Sequence, residues 1–171
     1  MSKKFKDFSE EEKNIYRQNM RHSAAHVMAE AVTKIFPKAK VTLGPPIKDG
    51  FYYDFDVEKP FTPENLKEIT KLMQKIINKN SLFVGREVSK TEAFELVKDN
   101  QYKKEILESM ENDSTVTFWS HSNGEFEDLC RGGHVNSTGE IKSFKLLSTA
   151  GAYWRGDENN RMLQRIYGTA W

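Results

Sequence analysis

The sequence predicts an α+β fold with a mainly antiparallel sheet packed on helices. A long run of apolar residues at helical spacing occupies the N-terminal part, and period-two alternation begins at residue 50. Several strand-like runs, separated by glycines and polar pairs, follow in the last third. The order helix, strand, helix, strand, helix and then several strands favours this class. Because no linker-like stretch divides the 171 residues, we expect one domain.

The first predicted element is a long helix. Ser9, with Glu12 three residues later, forms a capping-box pattern, so a helix should begin directly after Ser9. Apolar residues recur at mostly helical spacing until Pro37 ends the run. We expect a break near Arg21 and a flexible tail over residues 1–8.

The remaining elements follow from alternation and capping signals. Residues 50–57 alternate cleanly and predict a half-buried strand. Thr62 followed by Pro63 predicts a helix N-terminus, and Ser89 with Glu92 predicts another. A short helix is predicted at 103–110, and strands at 40–43, 82–88, 116–121, 124–129, 141–147 and 161–167.

Composition excludes several classes of protein. Hydrophobic residues make up 37% and charged residues 30%, which is typical of a soluble globular chain rather than a disordered one. The net charge is +1, so any RNA contact must come from a local basic patch. A single cysteine allows no internal disulfide and fits a reducing compartment. No signal peptide and no apolar run of about 20 residues is present, so we expect a cytoplasmic protein without a membrane segment.

Two histidine-containing pairs are the most informative feature. His22 and His26 are four apart on the predicted helix, so both imidazoles share a face. Cys130 and His134 are also four apart and flank two glycines, which favours a loop. The pairs hold three of the four histidines and the one cysteine, and together they could bind Zn²⁺ tetrahedrally. Each pair alone could equally be structural, and four protein ligands would close a zinc site to catalysis.

Weaker candidates surround these pairs. Asp128 lies two residues before Cys130, so a strand would place both on one face; a solvated strand-end acid is an equal alternative. On pattern alone Lys103 is a surface lysine and Tyr53 a packing residue. The C-terminal third also carries basic residues that could bind phosphates or form a solvated face: Lys142, Lys145, Arg155, Arg161 and Arg165. Neither a phosphate-binding loop nor a GxSxG nucleophile motif is present.

Five motifs together resemble the threonyl-tRNA synthetases. They are HSAAH at 22–26, GFYYD at 50–54, DLCRGGH at 128–134, TAGAYWRGD at 149–157 and NNRMLQRIYGTAW at 159–171. The two histidine pairs are shared with alanyl-tRNA synthetases and freestanding alanyl editing proteins. The AYWRGD and QRIYGTA runs are similar to the threonyl branch only. The resemblance covers residues from about 21 to 171.

The resemblance implies that residues 1–171 form an editing domain in which an antiparallel sheet wraps a central helix. The implied reaction is hydrolysis of serine wrongly esterified to tRNA(Thr), and the implied partners are the acceptor end of that tRNA and a class II catalytic domain. The family pattern assigns catalytic roles to His22, His26, Lys103, Asp128, Cys130 and His134, and substrate contacts to Tyr53 and Arg131. Asp128 is expected to orient water or the substrate amine.

The resemblance favours a site without a metal, with zinc on His22, His26, Cys130 and His134 as the alternative. Two other functions stay open: a zinc-stabilised tRNA-binding module and an alanyl-type editing enzyme. The family's small N-terminal domain and its aminoacylation domain are missing, which favours a fragment over a freestanding editor. Gly133 stands where Pro or Val is expected and should loosen the loop. His121 belongs to neither pair, so His121→Ala should keep near-full activity.

Overall fold

The computed structural model describes residues 4–112 and 115–171 and confirms the α+β class. Four α-helices lie at α1 (Glu10–Ile35), α2 (Pro63–Asn78), α3 (Lys90–Leu96) and α4 (Gln101–Ser109). Eight strands lie at β1 (Lys40–Val41), β2 (Pro46–Ile47), β3 (Gly50–Asp56), β4 (Val84–Val88), β5 (Val116–His121), β6 (Phe126–Leu129), β7 (Phe144–Tyr153) and β8 (Met162–Ala170).

The strands form two antiparallel sheets. One has the order β1-β3-β8-β7, with β2 also paired to β3, and the other has the order β4-β5-β6. Helix α1 packs on β3 and β8 of the first sheet. Through Glu30 it also reaches His121 at the end of β5, in the second sheet. Side chains from both sheets therefore converge on α1.

Helix α1 begins as predicted but has no break. The Ser9 side chain accepts a hydrogen bond from the Glu12 amide, and the Glu12 carboxylate accepts one from the Ser9 amide. The expected break near Arg21 is wrong, since one helix runs through to Ile35. The reason is that the buried Arg21 guanidinium donates to the backbone oxygens of Ala170 and Lys48, so its polar head is satisfied without disturbing the helix.

Strand β3 is buried on both faces rather than one. Phe51, Tyr53 and Phe55 are the predicted inner face and are almost fully buried. Asp54 on the opposite face is buried too, because Arg165 of β8 donates two hydrogen bonds to its carboxylate at 2.7 and 2.9 Å. A charge that is paired in this way can be removed from water at a much lower cost.

Two other segments differ from expectation. Strand β7 continues to Tyr153, beyond the predicted end at residue 147, because its small residues still pair with β8 down to Tyr153↔Met162. Within the segment expected to be a tail, Phe5–Asp7 form a short 3-10 helix and the rings of Phe5 and Phe8 contact Tyr16. Residues 1–3 lie outside the described residues.

Among the described residues, no helix combines the length and the apolar character that crossing a bilayer requires.

Candidate active site

The residues of both histidine pairs meet beside one cavity of about 450 Å³, and His22, His26 and Cys130 line it. Helix α1 supplies the two histidines of the first pair, and the loop after β6 supplies Cys130. Tyr53 from β3 and Lys103 from α4 line the same cavity, as do Asp128 and Arg131. The structure therefore brings together side chains from four elements that are far apart in sequence.

The thiol of Cys130 lies between two imidazoles. Its Sγ is 3.4 Å from Nε2 of His22 and 3.5 Å from Nε2 of His134. The ring of His26 contacts both other rings, at centroid distances of 4.8 Å to His22 and 4.5 Å to His134. His26 Nδ1 is buried and has no hydrogen-bond partner among the described residues.

The geometry fixes the tautomer of His22. Its Nδ1 is 3.1 Å from the backbone oxygen of Gly133, which can only accept, so Nδ1 carries the proton. Nε2 of the neutral ring is then an acceptor that points at Cys130. This arrangement places an acceptor nitrogen beside the thiol at the edge of the cavity.

The two glycines of the loop shape the cluster. Gly132 and Gly133 have φ of +95° and +85°, a region that valine avoids and proline cannot adopt. Gly132 donates its amide to Cys130 Sγ at 3.2 Å, and Gly133 accepts from His22. In this backbone path glycine is the residue that fits without strain, and the expectation that Gly133 loosens the loop stays a prediction.

Two residues that the sequence did not single out hold His134. Ser23 lies 2.9 Å from its Nδ1 and accepts from the Val135 amide. The ring of Phe83 stacks on His134 at a centroid distance of 4.8 Å and an angle of 2°. Ser23 could have been found from the sequence, because it lies inside the HxxxH pattern on the inner face of α1. Nothing local in the sequence marks Phe83, because its contact joins segments about 50 residues apart.

Burial keeps the cluster neutral. It lowers the pKa of His22, and it lowers the pKa of His134 to about 2 with help from the neighbouring histidines. The pKa of the fully buried His26 is also well below its usual value, for the same reasons. Burial raises the pKa of the Cys130 thiol to about 11. At neutral pH the cluster thus consists of neutral imidazoles and a protonated thiol.

Asp128 organises the opposite wall of the cavity. Its Oδ1 is 2.9 Å from Nζ of Lys103, and its Oδ2 accepts from the Tyr53 hydroxyl. Lys103 is only 2% exposed, so its interpretation as a surface lysine is wrong. Burial, followed by the Asp128 charge, raises the pKa of Tyr53 well above its usual value. Lys103 therefore places a buried ammonium group, held by Asp128, in the wall of the cavity.

The other candidates fall outside this wall or at its rim. Arg131 is exposed and lines the cavity mouth. Three of the arginines considered as a phosphate patch are instead paired with carboxylates: Arg155 with Glu105, Arg161 with Asp56 and Arg165 with Asp54. These ion pairs favour the alternative that the arginines lie on a solvated face, where neighbouring carboxylates neutralise their charges.

His121 lies in a second buried cluster beside helix α1 and does not line the cavity. It is fully buried, and its Nε2 lies 2.9 Å from the carboxylate of Glu30, which Lys34 and Ser122 also contact. Burial alone would raise the pKa of Glu30, but the hydrogen bonds from these neighbours outweigh it and lower the pKa to about 2. His121→Ala is therefore expected to lower stability, while the expectation that it keeps near-full activity stays a prediction.

The two histidine pairs could hold a zinc ion if the more distant ligand atoms moved closer together. Their four ligand atoms all lie within 4.8 Å of one another. Tetrahedral zinc with usual bond lengths needs ligand separations of roughly 3.3–3.7 Å, and the distances from Cys130 to His22 and His134 fall in that range. The Gly133 carbonyl and the Ser23 hydroxyl would orient two of the imidazoles, as outer partners of zinc ligands usually do.

Comparison with known proteins now identifies the class of protein. Residues 116–167 match the family described as the threonyl and alanyl tRNA synthetase second additional domain. The threonine–tRNA ligase of Hahella chejuensis is 54% identical over 154 residues, which is 89% of this chain and 24% of that protein. Those of Desulforamulus reducens and Clostridium tetani are 52% and 50% identical over 94% and 90% of the chain, and 25% and 24% of the relatives.

Residues 116–167 belong to the threonyl and alanyl tRNA synthetase second additional domain family. Within that family, the relatives that match nearly the whole chain are threonine–tRNA ligases. The chain spans about a quarter of the length of these relatives.

Proposed function

We propose that this chain hydrolyses the ester bond between serine and tRNA(Thr). The observation that carries the proposal is the convergence on one cavity of a neutral His22 imidazole, whose acceptor Nε2 lies beside the Cys130 thiol, and a buried lysine cation. A base and an oxyanion-stabilising charge are the two groups that ester hydrolysis needs. The similarity to threonine–tRNA ligases supports the choice of tRNA.

Water, rather than a side chain, is the nucleophile we propose. The Cys130 thiol is protonated at neutral pH because its pKa is about 11, and a protonated thiol is a poor nucleophile. The Ser23 hydroxyl is occupied by His134 and the Val135 amide. Direct attack by water needs no acyl-enzyme intermediate.

His22 is the proposed general base. Its Nε2 accepts the proton of the attacking water as oxygen bonds to the seryl carbonyl, while Nδ1 stays bonded to Gly133. Cys130, at 3.4 Å from that nitrogen, positions the water. When the tetrahedral intermediate collapses, the ribose oxygen leaves and takes the proton back from His22. The products are serine and tRNA with a free terminal hydroxyl. His26 and His134 complete the neutral cluster.

Lys103 is proposed to stabilise the negative charge that develops on the carbonyl or the leaving oxygen. Removing one preorganised donor of this kind typically costs about 10²–10³-fold in rate. Both carboxylate oxygens of Asp128 are engaged, one by Lys103 and one by Tyr53. These contacts support a positioning role for Asp128 alongside the expected orientation of water or substrate amine. Arg131, at the rim, is proposed to contact the substrate.

The reason to edit lies in the size of serine. A synthetic site built for threonine admits serine, and loss of one methyl's contacts gives only about 1–3 kcal/mol of discrimination. A second cavity that accepts serine and excludes the extra methyl completes a double sieve. We propose that this chain supplies that second cavity in a longer, cytoplasmic threonine–tRNA ligase, beside a class II catalytic domain.

We further propose that the hydrolysis needs no metal. Zinc bound by His22, His26, Cys130 and His134 would supply a Lewis acid and lower the pKa of a bound water. Four protein ligands leave no open position for that water, however, so such a site would be structural. The fit of the ligand set keeps a zinc-stabilised tRNA-binding module as the second candidate function, and chelation that unfolds the chain would favour it.

The proposal is tested by incubating the chain with seryl-tRNA(Thr) and with seryl-tRNA(Ala). We expect faster hydrolysis of seryl-tRNA(Thr). Preference for seryl-tRNA(Ala) would favour the alanyl-type editor, and no hydrolysis of either would contradict the proposed function.

A further inference from the structure

Ser23 has a hydroxyl beside the histidine cluster that the proposed reaction does not use. Its side chain is fully buried on the inner face of α1. The oxygen accepts a hydrogen bond from the Val135 amide at 3.1 Å and lies 2.9 Å from Nδ1 of His134. The direction of the hydroxyl hydrogen decides which nitrogen of His134 carries the ring hydrogen.

The hydroxyl of Ser23 donates to His134. Among the described residues, Nδ1 of His134 is the acceptor that this hydroxyl contacts, and a buried hydroxyl left without an acceptor is costly. Thr33, on the same helix, satisfies its hydroxyl differently, by donating to the backbone oxygens of Ala29 and Glu30 at 2.9 and 3.0 Å. Because Nδ1 of His134 accepts, that ring is neutral and carries its hydrogen on Nε2.

Nε2 of His134 is therefore a donor to the thiol. It lies 3.5 Å from Sγ of Cys130, and the Gly132 amide donates to the same sulfur at 3.2 Å. His22 presents an acceptor to that sulfur, because its Nδ1 hydrogen is bonded to Gly133 and its Nε2 lies 3.4 Å from Sγ. With two donors directed at its sulfur, the thiol has Nε2 of His22 as the acceptor for its own hydrogen.

The direction of the thiol hydrogen matters because of where the cavity lies. His22 and Cys130 line the cavity, whereas His134 does not. A thiol hydrogen directed at His134 would point at a group outside the cavity lining. A thiol hydrogen directed at His22 lies at the edge of the cavity instead, where a bound water can accept it.

We propose that Ser23 is a positioning residue that holds His134 as an Nε2–H donor and thereby turns the Cys130 thiol hydrogen toward the cavity. The inference rests on the proposed function, in which a water bound there attacks the seryl ester. The thiol donates to a lone pair of that water, and the water donates one hydrogen to Nε2 of His22. Without the Ser23 hydroxyl, His134 is free to accept the thiol hydrogen, and the water loses this contact.

Nitrogen NMR of the wild-type chain at neutral pH tests the hydrogen positions without any substrate. Two-bond correlations from the ring C–H groups distinguish a ring nitrogen that carries hydrogen from one that does not. We expect opposite tautomers, with hydrogen on Nδ1 of His22 and on Nε2 of His134. Hydrogen on Nδ1 of both rings would overturn the proposal. Zinc bound through both Nε2 atoms would give that contradicting result as well.

Variants of Ser23 test its effect on the reaction. Ser23→Ala should lower kcat for seryl-tRNA(Thr) by about 10-fold to 100-fold, the range known for outer partners that orient metal-bound imidazoles. KM should not change, because Ser23 does not line the cavity and acts only through His134. Thr33→Val is the matched control, since it removes another α1 hydroxyl, whose contacts are to the helix backbone, and it should match the wild type.

Ser23→Thr keeps a hydroxyl and separates hydrogen bonding from packing. In this variant kcat should follow the hydrogen bond, so a protein with the wild-type pair of tautomers should keep the wild-type kcat. This comparison and the wild-type spectrum decide the matter if Ser23→Ala does not fold.

The two proposals fail in different ways. Wild-type kcat in folded Ser23→Ala would overturn the positioning role and leave the proposed function standing. So would a kcat for Ser23→Thr as low as that of Ser23→Ala despite the wild-type tautomers. If the wild type hydrolyses no seryl ester but shows the opposite tautomers, the proposed function fails and the assigned hydrogen positions stand.

Discussion

Two polar clusters lie along helix α1, and they differ in what surrounds them. The first, around His22, faces a cavity and places an acceptor nitrogen there, while His26 keeps a buried ring nitrogen without a partner among the described residues. The second joins Glu30 to His121 and Ser122, at 2.9 and 2.8 Å, where each group is almost fully buried. Nδ1 of His121 is also buried without a hydrogen-bond partner among the described residues, so the clusters differ in access to the cavity: the first lines it, whereas the second joins the second sheet to the helix.

The comparison teaches that residue type alone does not assign a role. Both clusters contain buried histidine, and both lie within a few turns of one helix. The clusters differ in what the histidine ring faces. The His22 ring faces the cavity, whereas the His121 ring contacts the Glu30 carboxylate. Substitutions should therefore affect rate in the first cluster and stability in the second.

The largest effect is expected for His22→Ala. Loss of the proposed base should lower the single-turnover rate of seryl-tRNA(Thr) hydrolysis by about 10²–10⁴-fold, while the melting temperature changes little because His22 is only half-buried. Cys130→Ala should also lower the rate strongly. Ile15→Ala on the same helix is the matched control. Near-wild-type rates with normal circular dichroism in both site variants would remove the first cluster from the mechanism.

Lys103→Met should affect both rate and stability. Without the cation, hydrolysis should slow by about 10²–10³-fold. Asp128 would also be left buried and unpaired, which typically costs about 3–5 kcal/mol. The double variant Lys103→Met with Asp128→Asn should recover much of that stability, measured by urea unfolding, but none of the rate. Recovery of both would show that Lys103 acts only through folding.

Glu30→Gln should affect stability and leave the rate per folded molecule near wild type. We expect a loss of about 1–3 kcal/mol at pH 7 from the weakened contacts with His121 and Ser122. The folded pKa of Glu30 is about 2 and its ordinary value is 4.5, so its contribution is complete above pH 4.5 and fades as pH falls toward 2. The difference between the variant and the wild type should shrink accordingly.

Unfolding curves between pH 7 and 3 measure that difference. Glu108→Gln, an exposed change on α4, is the control and should track the wild type throughout. A gap between Glu30→Gln and wild type that widens in acid would contradict the assigned sign.

The smallest effect is expected from chelation. Because we propose a metal-free reaction, exhaustive treatment with EDTA should leave both the hydrolysis rate and the melting temperature unchanged. Loss of activity that zinc alone restores would make the first cluster a catalytic zinc site. Unfolding on chelation would instead make it structural, like the second cluster.

Much of this architecture follows from local sequence signals. The Ser9 cap and the Thr62-Pro63 helix start are encoded by neighbouring residues and appear as predicted, and β3 forms with its predicted inner face. The i, i+4 spacing also located both histidine pairs, since one helix turn and one short loop fix their geometry. These features depend on contacts within about four residues.

The rest depends on contacts between distant segments. Lys103 was interpreted as a surface lysine because only folding brings it to Asp128. The contact of His121 with Glu30 was not predicted either, because the two residues are 91 positions apart in the sequence. The same holds for Phe83, whose stacking on His134 has no local signature. Sequence patterns identified the candidate site residues but not the distant side chains that contact them.

The most direct test compares two esters of one tRNA. Seryl-tRNA(Thr) and threonyl-tRNA(Thr) differ by a single methyl group, which the cavity beside His22 and Lys103 is proposed to exclude. We expect the chain to hydrolyse the seryl ester at least about 10-fold faster, the discrimination that one methyl can provide. Equal hydrolysis of both esters, or of neither, would contradict the assignment of this cavity to editing.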